Sequence, residues 1–440
     1  MSTATPGTER TDGAATRDVL LLLTDFYPYE VGEEFLEQEI DVLCEAYDEV
    51  LVVPVRLSEG ARRTRPLPAN ARSALMPASR LPGGWRSQAL MRSVQILLGP
   101  ERMVQTPPWR SPGRFGMDVR FAAIALGARA RLRRLMPCLG LRPGDRVTIY
   151  SYWFFTGAAL GGMLRRRELA GHEVRVVARA HAYDVDEADA PRGYVPSRRY
   201  VMEAVDRVYP ISEYAAGFLR RRFPQAGGRV EVARLGVPAS SAPVRQKPRE
   251  GEPFAIVSCS HTAPYKRVGL VLETVAELAR RGRAVTWTHV GEADPERLEV
   301  LRHRAHELMP QVPVTLTGHM PNEEVRRLYA TSPFACFLNC SDGEGVPVSV
   351  MEAQSAALPV VATAAGGTGE IVHDGVNGRL VPVEVDAARV ADAVESVMDL
   401  GQEGYAAMSG AARQTWARMS DASRQYRDFV AALRALMPRR

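Results

Sequence analysis

Lysine is almost missing from this chain. Of its 56 Lys plus Arg only Lys247 and Lys266 are lysines, which leaves 54 arginines in 440 residues. GC-rich coding, with its abundant Ala and Gly, accounts for the bulk of that bias. It does not account for the two exceptions, because a compact ammonium and a planar guanidinium are not interchangeable at a point-charge site. Cysteine is scarce as well: Cys44, Cys138, Cys259, Cys336 and Cys340 are odd in number and form no CxxC pair. That excludes a disulfide scaffold and a zinc ribbon, and reads as a cytoplasmic chain. No run approaches the ~18 consecutive apolar residues of a spanning helix, so an integral membrane protein is not expected. Residues 1–17 are small and polar without an apolar core, so a disordered tail is expected there rather than a secretory signal. Neither charge dominates: the net value is +5, with 51 acids interspersed among the bases, and no nucleic-acid partner is expected. Neither G-x-G-x-x-G nor G-x-x-x-x-G-K-[ST] occurs, which argues against dinucleotide redox chemistry and P-loop hydrolysis.

What is present is an α/β rhythm. Apolar runs at 19–23 and 50–55 flank a helical pattern over 33–44, the opening of a parallel sheet. The pattern breaks over 57–118, a Pro- and Arg-rich stretch with one short apolar segment at 89–98, read as an insertion or an elaborated crossover. Helices are then expected near 120–136, 154–168 and from 213, and strands at 147–150, 174–178, 207–210 and 230–232. Residues 239–253 have a linker composition, and Lys247 within them is expected as a solvated charge. The second half predicts strands at 254–259, 284–290, 312–317, 334–339 and 359–362 with helices between them. Two more helices follow, near 386–400 and 411–437. The prediction is two Rossmann-like α/β domains, 18–240 and 254–410, joined by a linker at 241–253, with ligands beyond the carboxyl ends of the strands.

The densest chemistry lies between Cys340 and Thr363, in Cys-Ser-Asp-Gly-Glu344-Gly-Val-Pro-Val-Ser-Val-Met-Glu352 and the residues that follow. A strand runs into a glycine-bearing loop, and a helix opens near Pro347, where free amides suit a phosphate. Two carboxylates stand beside that pocket, and carboxylates accept hydrogen bonds from vicinal diols. On chemistry alone they also read as one loop acid and one helix-surface acid. This stretch, followed by Gly366-Gly367-Thr-Gly-Glu370, closely resembles the donor-site signature of the retaining glycosyltransferase family 4. The resemblance covers nearly all of the C-terminal half. It implies a GT-B fold, with the last helix, 411–440, packing back on the first domain. With the GC-rich coding it points to an actinobacterial-type sugar transferase.

The family's roles transfer residue by residue. Glu344 would contact the transferred sugar and Glu352 the ribose hydroxyls, while the amides of Gly345, Val346 and Val348 face sugar and diphosphate; Pro347 has no N–H to give. Ser258-Cys-Ser-His261-Thr-Ala-Pro-Tyr-Lys266-Arg267 is similar to the first strand-to-helix turn, whose lysine neutralises the donor diphosphate. His261 stands where the family commonly has an arginine, so Arg267 is a candidate for the second cation. Alone, a Lys-Arg pair opening a helix is usually solvated. Thr317-Gly318-His319 resembles the turn whose backbone reads the base, which places His319 at the donor. Gly32 matches one of a glycine pair beside the sugar phosphate. Arg179-Ala-His181-Ala-Tyr-Asp184 resembles an element whose histidine hydrogen-bonds the donor sugar near the reacting face, so His181 joins Lys266 and Glu344 as catalytic.

No metal and no cofactor are expected. Asp184-Val-Asp186 imitates a metal motif of the other glycosyltransferase fold, and His303 with His306 lacks completing ligands. Basic and apolar residues alternate around Arg80, Trp85, Arg86, Leu90 and Arg92 to Leu98. They read as a bilayer-facing segment, a buried helix or an acceptor-pocket lid. The resemblance implies transfer from a nucleotide-diphosphate sugar to an acceptor hydroxyl on a small molecule, a glycan or a lipid-linked glycan. A sugar-nucleotide epimerase and a non-catalytic nucleotide-sugar scaffold or sensor remain the alternatives.

Overall fold

The structure, a computed structural model, describes residues 16–30, 32–79, 84–181, 183–187, 190–292 and 294–437. Residues 1–15 of the expected tail and Arg80 lie outside the described residues. Among those described, two parallel six-stranded sheets form, one in each half of the chain.

The first sheet is ordered β3-β2-β1-β4-β5-β6. Its strands are β1 (Asp18–Thr24), β2 (Glu49–Pro54), β3 (Ala71–Ser73), β4 (Arg146–Ser151), β5 (Glu173–Ala180) and β6 (Arg207–Pro210). β1 is buried along its whole length, as its unbroken Val-Leu run requires when helices cover both faces. Its helices are α1 (Leu36–Ala46), α2 (Trp85–Met91), α3 (Ser93–Leu98), α4 (Pro112–Leu135), α5 (Thr156–Arg166), α6 (Arg198–Ala204) and α7 (Glu213–Arg222). The stretch 57–118 thus supplies an edge strand, two short helices and the start of α4. The strand expected at 230–232 is only a single bridge, Val208 to Val230, because the chain there is leaving the sheet.

The second sheet, ordered β12-β11-β10-β7-β8-β9, is built from β7 (Phe254–Cys259), β8 (Val285–Val290), β9 (Val314–Gly318), β10 (Cys336–Asn339), β11 (Val360–Thr363) and β12 (Gly378–Val381). Around it lie α8 (Val268–Arg280), α9 (Pro295–Leu308), α10 (Asn322–Thr331), α11 (Val348–Ser355) and α12 (Ala387–Met398). The short strands β3 and β12 and the seven-residue α6 were not expected; each is too brief to carry a period.

The single helix expected over 411–437 is two. α13 (Gln402–Met419) lies against α11, and α14 (Ala422–Ala435), capped by Asp421, lies against α1 in the first half. The chain therefore crosses between the halves twice, near 237 and near 421. The crossings touch: Val237 N–H donates to Ser420 O at 2.8 Å, and a Cβ on Gly236 would sit 2.3 Å from Ala422 Cα. Phe429 of α14 buries its ring edge-on to Tyr150 and Tyr209, 5.3 and 5.1 Å away, with the Arg179 guanidinium 4.1 Å above it.

The linker is not a solvated strap. Lys247 Nζ donates to Leu400 O at 2.6 Å beyond the end of α12, and Arg245 donates to the carbonyls of Ala356, Ser332 and Tyr329. Unsatisfied carbonyls at helix ends attract cations, and this polar segment supplies them.

Candidate active site

In the second half, the site grows from main-chain contacts between two turns. A short turn, Pro264–Lys266, follows β7, and Asp342 N–H after β10 donates to Tyr265 O at 2.9 Å. That stitch brings Lys266 against the glycine-bearing loop, where its Nζ lies 2.6 Å from Glu344 Oε1. Gly366 and Gly367 fix the loop from below. A Cβ at Gly366 would stand 1.7 Å from Glu344 O, and one at Gly367 2.1 Å from Gly345 O, so any side chain there would displace Glu344. Gly345, Val346 and Val348 lead into α11, whose N-terminus no side chain caps.

Arg267 differs from the expectation of a second phosphate cation. Its guanidinium is committed to carbonyls, with Nε 2.5 Å from Cys340 O and Nη1 2.8 Å from Val383 O. It holds a left-handed φ of 46° and braces the ends of β10 and β12. His261 supplies no fixed charge: burial and the neighbouring Lys266 hold its imidazole below the ordinary range. Glu352 is 5% exposed on α11, and burial pushes its carboxyl up to about 7 although Arg326 Nη1 stands 3.5 Å away. Arg326 sits on α10 and was missed; the acid it faces lies 26 residues on, which no sequence period records. His319 is exposed just beyond β9, where Gly318 takes a φ of 73° and accepts from Gly291 N–H.

In the first half, Glu33 organises the loop after β1. Its buried carboxylate accepts from the N–H groups of Asp25, Phe26 and Tyr27 and from Trp153 Nε1, all at 2.7 to 2.8 Å. Gly32 and Glu33 take successive left-handed φ values, 106° and 59°, to turn the carboxylate inward. A Cβ on Gly32 would meet nothing within 4 Å, so that glycine serves the turn and leaves its outer side open. His181 is buried, its ring 4.2 Å from Trp153 and 5.1 Å from Tyr152, and neither ring nitrogen has a hydrogen-bond partner. Asp184 holds the turn beneath it, accepting from His181 N–H and Phe154 N–H. Asp186 accepts from Tyr214 Oη at 2.5 Å, so the D-x-D look-alike serves hydrogen bonding within the protein. Among the described residues no group of three or more potential ligands could hold a metal.

One bridge joins the halves at this site. Glu370, just past Gly366-Gly367, accepts from the N–H groups of Glu213 and Tyr214 at the start of α7 and lies 2.6 Å from Arg234 Nη1. A carboxylate at a helix N-terminus answers its free amides and dipole. The path from Glu344 through Gly366-Gly367, Glu370, Tyr214 and Asp186 to the His181 turn is therefore continuous contact.

The family described as "Glycosyl transferases group 1" matches residues 242–415. A GDP-mannose-dependent α-(1-6)-phosphatidylinositol monomannoside mannosyltransferase of Mycolicibacterium smegmatis is 30% identical over 289 residues, 61% of this chain and 72% of that protein. The chain belongs to the group 1 glycosyl transferases. Within that family, the amylovoran biosynthesis glycosyltransferase AmsK of Erwinia amylovora is 26% identical over 253 residues, 55% of this chain and 59% of its own length. The chain spans about three fifths of the length of several curated relatives, WcaL of Salmonella typhimurium at 62% included. Among solved structures, sucrose-phosphate synthase from Thermosynechococcus elongatus superposes with a TM-score of 0.67 at 15% identity, over 96% of this chain and 99% of that one. The two-sheet architecture is accordingly GT-B.

Proposed function

We propose that this group 1 glycosyl transferase moves a sugar from a nucleoside diphosphate sugar to an acceptor hydroxyl, with retention at the anomeric carbon and without a metal ion. The observation that carries the proposal is the Lys266–Glu344 pair, 2.6 Å apart beside the uncapped N-terminus of α11. An ammonium and free helix amides together suit a diphosphate whose negative charge grows as it departs. Glu344, released from Lys266 when the diphosphate takes its place, is free to hold hydroxyls of the transferred sugar. Glu352 supplies a carboxyl of raised pKa to the ribose diol, able to donate as well as accept. The ring nitrogens of His181 make no hydrogen bond within the protein, although Nδ1 lies 3.6 Å from Asp184 Oδ2, and they offer hydrogen bonds near the reacting carbon.

In the proposed step the bond from the anomeric carbon to the phosphate oxygen breaks and the acceptor oxygen bonds the same face. The acceptor proton passes to the departing phosphate oxygen. The commitment of Asp184 and Asp186 to protein donors supports a metal-free site. The donor base stays between uridine, as in the Anabaena HepE structure with UDP and glucose, and guanosine, as in the mycobacterial relative. A glycan or lipid-linked glycan in the cytoplasm is the proposed acceptor class, after relatives named for amylovoran and phosphatidylinositol mannoside synthesis.

The test is a thermal-shift screen of uridine and guanosine diphosphate sugars, followed by transfer with the stabilising donor and proton NMR of the product anomer. Transfer with retained configuration supports the reading. Inversion, or conversion of donor without acceptor, overturns it.

A further inference from the structure

Helices α2 and α3 present an unusual face. Leu90, Met91, Val94, Leu97 and Leu98 follow an i, i+1, i+4, i+7, i+8 spacing and are 78, 60, 71, 56 and 83% exposed. Their inward neighbour Ile96 is 3% exposed, and α2 packs on α4, so these helices are seated with the greasy side out. Trp109, 86% exposed, stands in the same segment between α3 and α4. Isolated exposed apolar residues need no explanation, but a contiguous stripe of this kind marks a binding surface.

The sequence that carries the stripe is rich in arginine and poor in acids. Between residues 60 and 134 the sequence has fifteen arginines and two acids; Arg65, Arg72 and Arg129 among them are paired with Glu37, Glu49 and Glu168 from outside that stretch. Both acids are turned inward. Glu101 is committed to Arg166, Arg167 and Tyr200, and Asp118 to the N–H groups of Gln105, Thr106 and Ser197 and to Tyr194. Arg86, Arg102, Arg110 and Arg120 are exposed. Arg86 and Arg120 both lie 5.7 Å from the Trp85 ring.

We propose that this face seats the protein on an anionic lipid bilayer, with the stripe in the acyl boundary and the arginines at the headgroups. An apolar stripe alone would fit a second protein as well. The exposed Arg86, Arg102, Arg110 and Arg120 beside it, with Glu101 and Asp118 buried, are what select a surface of negative charge. The inference is independent of the donor site, since none of these residues touches it.

The experiment is co-sedimentation of the full chain with vesicles of phosphatidylglycerol and phosphatidylcholine, against vesicles of phosphatidylcholine alone. The double variant Leu97→Glu/Leu98→Glu is run beside it, with sedimentation velocity on both proteins without lipid. Both changes lie at exposed positions, and a thermal melt checks that the fold persists. Expected are binding to the anionic vesicles that weakens as salt rises, a loss of at least about tenfold in the variant, and monomers throughout. Absence of binding at low salt, equal binding to neutral vesicles, or undiminished binding by the variant overturns the proposal. So does a wild-type dimer that the variant converts to monomer, because a second copy then covers the stripe.

Discussion

Lys266 Nζ and Glu344 Oε1 are 2.6 Å apart, with side chains 16% and 8% exposed. In the ligand-free protein each therefore compensates the other's desolvation. Under the proposed function a bound diphosphate would compete with the carboxylate for the ammonium and free the carboxylate for a sugar hydroxyl, so the pair would couple arrival of the anion to release of the acid.

Lys266→Ala is expected to lower kcat by about 10²–10³, the usual effect of removing one donor to a developing oxyanion. The variant should keep its fold, since the stitch beneath it is main chain. Lys266→Arg is expected to rescue little, because a planar fork does not replace a compact ammonium at a point-charge site. Steady-state rates at saturating donor, with circular dichroism as the folding check, decide; near-normal kcat in either variant would contradict the role.

Glu352 makes a separate prediction about stability. Its carboxyl is pushed up to about 7 from an ordinary 4.5, chiefly by burial. Between those values the folded protein holds a proton that the unfolded chain has released, so stability falls as pH rises through the window and stays lowered above it. The penalty at neutral to basic pH is on the order of 3 kcal/mol at most. Glu352→Gln removes the ionisation. It should therefore raise Tm relative to wild type at about pH 8, leave it little changed at about pH 5, and weaken nucleotide binding at both. A Tm gain equal at the two pH values would sink the assignment.

The fold of the second half was legible in the sequence for physical reasons. There short strands alternate with single helices from β7 to β11, and Lys266, Glu344 and Glu352 lie in turns or on a short helix within a few consecutive residues. Partners that meet only through tertiary packing stayed hidden: Arg326 against Glu352, Trp153 against Glu33, Arg234 against Glu370. Each pairs residues from different elements, and no local period encodes such a meeting. Arg267 misled because charge beside a helix start resembles a phosphate site, whereas its reach let it brace three carbonyls instead. Lys247 misled in the opposite sense, since a polar linker composition says nothing of the helix end it will cap.

Asp25 lies in the loop after β1, its side chain 23% exposed and 3.5 Å from Arg56 Nη1. Burial, then the neighbouring Glu33 charge, pushes its carboxyl up to about 6. With His181 and the Trp153 ring it lies on the acceptor-side half of the proposed site. Asp25→Asn is expected to raise the acceptor KM about tenfold, the worth of one hydrogen bond to a charged group. Donor affinity should be unchanged. Because the wild-type carboxylate is lost as pH falls through about 6, acceptor binding should weaken below that value and lose this dependence in the variant. Acceptor saturation curves across pH for both proteins provide the measurement.

The Glu370 bridge predicts a change of shape. Its carboxylate holds the start of α7 and Arg234 from the opposite half of the chain, with side chains 17% and 16% exposed at the ion pair. Removing it leaves three donors of the first half without their acceptor, while the covalent crossings near 237 and 421 still join the halves. Glu370→Ala should therefore leave both halves folded but widen their spread, seen as a larger radius of gyration in solution scattering. Arg234→Ala should do so less, since the two main-chain bonds to Glu370 persist. A double-mutant cycle on thermal stability should return a coupling on the order of 1 kcal/mol, as for a partly screened pair. Because the bridge sits between Gly366-Gly367 and the turn carrying His181, Glu370→Ala should also lower kcat without altering donor binding measured on the diphosphate alone. Unchanged scattering with a reduced rate would place the role of Glu370 in the site itself rather than between the halves.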